Sequence, residues 1–129
     1  MANVLFVCLH NAGRSQMSAA LFEAAAGREH EVMSAGTQPA EHVHLEVVVV
    51  MRELGIDLSD RTPQLLTREL AERADVVVTM GCGDACPYIP GKRYIAWELP
   101  DPKGMPLDDV RALRDDIAVR VRSLIGEFE

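Results

Sequence analysis

The sequence predicts an α/β protein in which a parallel sheet of four strands carries helices on both faces. Short apolar runs rich in β-branched residues alternate with longer segments whose apolar residues recur every three or four positions. Strands separated by helices pair in parallel and are buried on both faces, which explains the continuous apolar runs. The 129 residues contain no repeat or linker. A chain of this length forms a real core, so residues 1–129 are predicted to be one domain.

The first half of the chain supplies two predicted strands and two predicted helices. Residues 4–7 and 31–35 are the strands, and residues 15–26 form an alanine-rich helix that Gly27 can terminate. The expected buried face of that helix is Met17, Ala20, Leu21 and Ala24. The stretch "HVHLEVVVVMRELG" (42–55) has a run of four valines, yet its apolar spacing favours a helix that stops at Gly55. Its expected buried face is Val47, Val50, Met51 and Leu54.

The second half continues the alternation. Residues 66–74 predict a short helix with Thr67 as its N-cap and Leu70 facing inward. Residues 75–80 and 92–97 are the third and fourth strands, and a proline-rich loop follows. The last helix has the clearest pattern, because apolar residues recur every three or four positions and Asp and Arg occupy the other face. These apolar residues are Val110, Leu113, Ile117, Val121, Leu124, Ile125 and Phe128.

Composition excludes several classes of function. A formal net charge of −7 disfavours binding to nucleic acid or to an anionic membrane. The apolar runs are far too short to span a bilayer, and the N-terminus lacks the pattern of a signal peptide. Three cysteines do not form the even, dense set of a secreted disulfide scaffold. The expected location is therefore the cytoplasm, where clustered thiols are more often catalytic, redox-active or metal-binding.

Cys8 ends the first predicted strand, and the polar loop after it leads to Arg14 at a predicted helix start. In parallel sheets, ligands bind beyond the carboxyl ends of the strands, where helix N-termini point at them. The N–H groups of such a loop and of the first helical turn have no intrahelical partners, so they can hold an oxyanion. The Arg14 guanidinium can bind two oxygens of a tetrahedral anion. The predicted oxyanion-binding loop consists of Leu9, His10, Asn11, Ala12, Gly13 and Arg14.

The same positive field favours the thiolate form of Cys8, which makes it the candidate nucleophile. Ser15 can donate a hydroxyl hydrogen bond to the sulfur, and Asn11 and Gly13 suit a tight loop because both tolerate positive φ. The alternative is a core cysteine beside a solvated arginine. It does not account for the Cys-x5-Arg-Ser spacing at a strand-to-helix junction.

A nucleophile that attacks an oxyanion also requires a proton donor for the departing oxygen. Asp101, between Pro100 and Pro102 in the proline-rich loop, is the candidate. An ordinary turn aspartate is the alternative interpretation, and spacing alone leaves the two equally open.

These residues resemble a known family. Cys8, Arg14 and Ser15 with the distant Asp101-Pro102 pair resemble the low-molecular-weight protein tyrosine phosphatases. Within that fold, "HNAGRSQM", "SAGT", "GID" and "GCGDACPYIPGKRYIAWELPDP" resemble the arsenate reductases coupled to thioredoxin. The resemblance spans nearly the whole chain. The Cys-x5-Arg part is common to both groups, so Cys82 and Cys86 carry the choice between them.

The resemblance implies arsenate reduction by a relay of thiols. Cys8 would attack arsenate while Arg14 and the loop amides hold its oxygens, and Asp101 would protonate the leaving oxygen. Cys82 would then attack Cys8 and expel arsenite, and Cys86 would resolve the disulfide for reduction by thioredoxin. No bound cofactor and no metal are expected. Phosphate and sulfate are the expected competing anions.

The sequence leaves several alternatives open. Phosphatases of the family would have a cysteine and a proline where Gly13 and Gln16 stand, yet a phosphatase without redox turnover stays the second candidate. Only three residues separate Cys82 from Cys86, so mycothiol or another small thiol is an alternative reductant. The same two cysteines form half of a zinc site. His10, His42 and His44 are its candidate further ligands. A zinc- or arsenic-binding regulatory module is the alternative outside the enzymes.

Overall fold

The computed structural model describes residues 2–81 and 88–128. Its strands are β1 (Asn3–Cys8), β2 (Glu31–Gly36), β3 (Val76–Thr79) and β4 (Arg93–Ala96). Its helices are α1 (Arg14–Ala26), α2 (Leu45–Arg52), α3 (Arg68–Arg73) and α4 (Leu107–Glu127). Each predicted strand and helix is present, and the valine-rich stretch at 42–55 is a helix as its spacing predicted.

The four strands form one parallel sheet in the order β2-β1-β3-β4. The register pairs Cys8 with Gly36 and Val7 with Thr79, so the carboxyl ends of the first three strands lie together. The predicted fold class is confirmed. Because β1 is an inner strand with β2 on one side and β3 on the other, the loop that follows it emerges near the middle of the carboxyl-terminal end of the sheet.

Successive residues of β1 face opposite sides of the sheet, which gives the protein two apolar layers. Val4 and Phe6 pack with α1, α2 and α4 in the larger layer. Leu5 and Val7 pack with Ala71 of α3 in the smaller one. The alternation explains why β1 is apolar throughout, since both of its faces are covered.

The predicted buried faces are correct for most positions and wrong for two. In α1, Ala24 is exposed and Phe22 is fully buried, because the first half of this helix is covered on all sides and its apolar spacing is correspondingly blurred. Leu54 is 48% exposed, since α2 ends at Arg52 and the chain turns away through Gly55 at φ 78°. Thr67 caps α3 as expected, because its Oγ1 accepts a hydrogen bond from Leu70 N at 3.2 Å.

The end of α2 is tied to α4 by two arginines. Both oxygens of the Glu53 carboxylate accept hydrogen bonds from Arg111, at 2.7–3.0 Å. Arg114 donates to Glu53 Oε1 at 2.9 Å and to the Val50 carbonyl oxygen at 2.7 Å. The hydrogen bond from Arg111, assisted by Arg114, lowers the pKa of Glu53 from 4.5 to about 2.

We predict that replacing Glu53 by Gln destabilises the protein in a pH-dependent way. Since the pKa of Glu53 is lower in the folded chain, its contribution is present in full above about pH 4.5 and is lost as the pH falls towards about 2. Urea unfolding of wild type and Glu53→Gln at pH 7, 4.5 and 3 should therefore give a difference in unfolding free energy that narrows with acidity. Glu41→Gln, in an exposed loop, is the control. A difference that is constant over this range would contradict the prediction.

Candidate active site

Cys8 lies at the carboxyl end of β1, as predicted, and is only 2% exposed. The anion loop, residues 9–14, leads directly from this strand into α1, which begins at Arg14. Asn11 has φ 50°, a left-handed conformation that asparagine tolerates, and its backbone N–H donates to Cys8 Sγ at 3.3 Å. The loop therefore curls back over the sulfur.

The carbonyl groups of the anion loop face away from the sulfur, towards residues 37–44, which we call the brace. Backbone N–H groups of the brace donate to the carbonyl oxygens at 8, 9, 10 and 12, at 2.8–3.3 Å. In a trans peptide the C=O and the next N–H point in opposite directions. Outward carbonyls therefore turn the N–H groups of Leu9, His10, Asn11 and Gly13 inward, and the Asn11 contact to sulfur agrees with this. Oxyanion binding by this loop stays a prediction, and it requires inward N–H groups of this kind.

The Asn11 side chain links the loop to the thiol through Ser15. Asn11 Oδ1 accepts hydrogen bonds from the backbone N–H of Gln64 at 2.9 Å and from Gln16 Nε2 at 3.2 Å. Because a backbone N–H can only donate, this orientation places Asn11 Nδ2 towards Ser15 Oγ, at 2.7 Å. The Ser15 hydroxyl is 2.9 Å from Cys8 Sγ. Its own hydrogen is thus free to be donated to the sulfur, which stabilises a thiolate.

Arg14 is nearly buried, at 7% exposure, and its guanidinium is fixed from two sides. Nη1 donates to the Leu99 carbonyl oxygen at 3.1 Å, and Nη2 is 3.9 Å from Asp101 Oδ2. Gly81, just after β3, has φ 87°, and a Cβ there would lie 2.4 Å from Arg14 Nη1. The close approach of the arginine to the chain therefore requires glycine at position 81.

Asp101 lies at the same edge of the sheet as Cys8, in the acid loop, which comprises residues 99–105. Its Oδ1 accepts a hydrogen bond from Lys103 N at 3.0 Å, and its side chain is 41% exposed. The structure thus brings the predicted proton donor to Arg14 from 87 positions further along the chain. The same carboxyl-terminal end of the sheet therefore carries all four groups, namely Cys8, Arg14, Ser15 and Asp101.

Some expectations about the site are corrected or lie outside the described residues. Gly13 does not adopt positive φ, since its φ is −142°. The His10 ring is turned to the Gln38 carbonyl oxygen in the brace, with Nδ1 at 3.0 Å. Cys82 and Cys86 lie outside the described residues. Among residues 2–81 and 88–128, no group of three or more His, Cys, Asp or Glu side chains could hold a metal ion.

Sequence reasoning missed two glutamines that support the site. Gln16 is almost fully buried and bonds Asn11 Oδ1, and the Gln64 side chain donates to the Ser34 carbonyl oxygen at 2.7 Å. The available signal for Gln16 was its place directly after Arg14 and Ser15 in the first turn of α1. No local pattern marks Gln64, because its partners come from the anion loop and from β2.

Within the two described segments, every helix is too short or too polar to span a bilayer.

Comparison with known proteins gives a consistent result. The family model described as low molecular weight phosphotyrosine protein phosphatase matches residues 3–129. A putative arsenate reductase of Halobacterium salinarum is 45% identical over 128 residues, which cover 95% of this chain and 90% of that protein. An arsenate reductase solved in its phosphate-binding state is 31% identical, with a TM-score of 0.88 and full coverage of both chains.

A further solved structure is the thioredoxin-dependent arsenate reductase Cg_ArsC1' of Corynebacterium glutamicum. It is 41% identical, with a TM-score of 0.86 over 98% of this chain. The match covers 61% of that protein, so this chain spans less than two thirds of its length.

We predict that Gly81→Ala weakens oxyanion binding. The added methyl group displaces Arg14, and a hydrogen bond to a charged group contributes about 1.5–3 kcal/mol. Phosphate affinity should therefore fall by about 10- to 100-fold. It is measured as the phosphate concentration that protects Cys8 from alkylation, with the Cys8 peptide followed by mass spectrometry.

Gly91→Ala is the matched control for this measurement. Gly91 has a similar φ of 90° but nothing within 4 Å of an added Cβ, so it reproduces the backbone strain without the clash. Phosphate protection should stay at the wild-type level in Gly91→Ala. If Gly81→Ala were protected as well as this control, Gly81 would not be setting the position of Arg14.

Proposed function

This chain belongs to the low-molecular-weight phosphotyrosine protein phosphatase family, and on that premise we propose that it is an arsenate reductase that uses Cys8 as its nucleophile. The observation that carries the proposal is the geometry around Cys8. Its sulfur receives hydrogen bonds from Ser15 and Asn11 at the centre of a loop whose carbonyls face outward. The relatives and solved structures named as arsenate reductases support the choice of substrate.

In the first step, the Cys8 thiolate forms a bond to arsenic and one arsenic–oxygen bond breaks. Arg14 and the inward N–H groups hold the remaining oxygens, and this is charge stabilisation of the oxyanion-hole type. Asp101 supplies the proton with which the departing oxygen leaves as water. Its place beside Arg14 at the mouth of the loop supports this role.

In the second step, the Cys82 thiolate attacks the sulfur of Cys8. A sulfur–sulfur bond forms, the sulfur–arsenic bond breaks, and arsenic keeps the electron pair and leaves as arsenite. Two thiols are thereby oxidised to one disulfide while arsenic(V) is reduced to arsenic(III).

Cys86 then attacks Cys82, which frees the Cys8 thiolate and leaves a Cys82–Cys86 disulfide. We propose thioredoxin as the reductant of that disulfide, since the Corynebacterium glutamicum structure is described as thioredoxin-dependent. A relay that must return to free thiols suits a reducing compartment, so we place the reaction in the cytoplasm.

The test follows NADPH oxidation on addition of arsenate, with thioredoxin and its reductase, and then with a mycothiol system in their place. Wild type should turn over many times with thioredoxin, and Cys8→Ser should be inactive with either donor. Cys86→Ser should form about one arsenite per chain and then stall with a Cys8–Cys82 disulfide, because its exit thiol is missing. The linked peptide pair is visible by mass spectrometry.

Two results would revise the relay. Sustained turnover of Cys86→Ser with thioredoxin would show that Cys86 is not the exit thiol. Full activity of Cys82→Ser with mycothiol would assign the enzyme to the reductases that use a small thiol. Loss of arsenate reduction in wild type with every donor would overturn the proposed function.

The second candidate is a phosphatase, which the description of the matched family favours. Hydrolysis of a phosphate ester needs Cys8, Arg14 and Asp101 but no second thiol. We predict that Cys82→Ser abolishes arsenate turnover and leaves slow hydrolysis of a small aryl phosphate, whereas Cys8→Ser abolishes both. Wild-type hydrolysis at about 10 per second, the median rate of enzymes, without arsenate reduction would make the phosphatase the correct assignment.

A further inference from the structure

Pro102 is buried although its neighbours Asp101 and Lys103 are both exposed. It lies against Gly13 of the anion loop. A Cβ at position 13 would be 2.5 Å from Pro102 Cγ and 3.3 Å from Pro102 Cδ. Carbon atoms pack best at about 3.5–4.0 Å, so any side chain at position 13 would push the proline ring away. The absence of a side chain at Gly13 is therefore a condition for this contact.

Within residues 2–81 and 88–128, few contacts hold the carboxyl group of Asp101. Its distance of 3.9 Å from Arg14 is too long for a hydrogen bond. Its bond from Lys103 N lies within the acid loop and cannot fix that loop on the rest of the protein. Leu99 and Met105 at the ends of the loop pack against the main core. Next to Asp101 itself, two contacts between described residues hold the acid loop on the anion loop and Arg14. These are the Leu99 carbonyl oxygen with Arg14 and the Pro102 ring with Gly13.

We propose that Gly13 is a positioning residue for the proton donor: by leaving room for Pro102, it sets where Asp101 stands over the bound oxyanion. The inference rests on the proposed function, in which Asp101 protonates the leaving oxygen. It differs from the role expected from the sequence, since Gly13 does not have positive φ. The His44 ring lies near the same position, with Cδ2 at 3.4 Å from the added Cβ, so the methyl group could not relieve the clash by moving towards His44.

The test uses Gly13→Ala, Pro102→Ala and the double variant. Misplacing a catalytic group by about 1 Å can cost on the order of 100-fold in rate, so kcat of Gly13→Ala for arsenate should fall by about 10- to 100-fold. KM and the protection of Cys8 by phosphate should stay close to wild type, because the loop amides and Arg14 are unchanged. Asp101→Asn removes the proton donor altogether, so its loss of kcat is the upper limit for the loss that a misplaced Asp101 can cause.

Rescue distinguishes positioning from a purely structural role of Gly13. In the double variant, the alanine at 13 occupies space that the proline ring has left. The double variant should therefore regain several-fold in kcat over Gly13→Ala, although Pro102→Ala alone lowers kcat. Gly126→Ala is the matched control, because a Cβ there meets nothing within 4 Å, and its kcat should equal that of wild type.

Wild-type kcat in Gly13→Ala would overturn the inference. So would a loss of kcat that comes with a loss of phosphate protection and is not rescued in the double variant, because Gly13 would then support the loop itself. If wild type reduces no arsenate, the proposed function fails, and the variants are compared by ¹⁸O exchange between inorganic phosphate and water.

That exchange requires no electrons. Cys8 displaces one phosphate oxygen as water with a proton from Asp101, and a second water then reverses the step and returns the proton. The same ranking of variants is expected. Equal exchange in wild type and Gly13→Ala, or none in wild type, would overturn the inference.

Discussion

The candidate site depends on one constraint: the carbonyl groups of the anion loop must be satisfied elsewhere if its N–H groups are to face an anion. The brace meets this constraint because its backbone N–H groups donate hydrogen bonds to four carbonyl oxygens, those of Cys8, Leu9, His10 and Ala12. An unpaired carbonyl turned inward would repel the same charge that the loop must hold. Gly36 allows this arrangement, since a Cβ there would lie 2.8 Å from the Leu9 carbonyl oxygen and 2.9 Å from Asn11 N.

The brace is itself supported by helix α2 and, through it, by α4. His44 precedes α2 and donates its backbone N–H to the Ala12 carbonyl oxygen at 2.8 Å. Beyond the other end of α2, Glu53 is bound by Arg111 and Arg114 of α4. A change in the packing of these helices would therefore reach the anion loop through the hydrogen bond from His44, although the arginines lie far from Cys8 in sequence.

The parallel sheet explains why residues so distant in sequence form one site. The carboxyl ends of β1 and β3 are in register, so the loop after β1 and Gly81 meet at Arg14. The chain after β4 passes over the same carboxyl-terminal end of the sheet and brings Leu99 and Asp101 to the Arg14 guanidinium. Arg14 is the common point of these segments: its two terminal nitrogens contact the acid loop, and Nη1 also lies close to Gly81.

The sequence by itself determined the strands, the helices and the place of the candidate nucleophile, because these depend on local periodicity and on residues close together in the chain. The Cys-x5-Arg-Ser spacing located the anion loop, and the preference of asparagine for positive φ correctly indicated the conformation of Asn11. Only the tertiary structure decided that Gly13 provides space for Pro102, that Gln16 and Gln64 orient Asn11, and that Phe22 rather than Ala24 is buried. The bond from Gln64 to Asn11 joins residues 53 positions apart. No local pattern encodes such a contact, since it arises only when separate strands and loops are packed against one another.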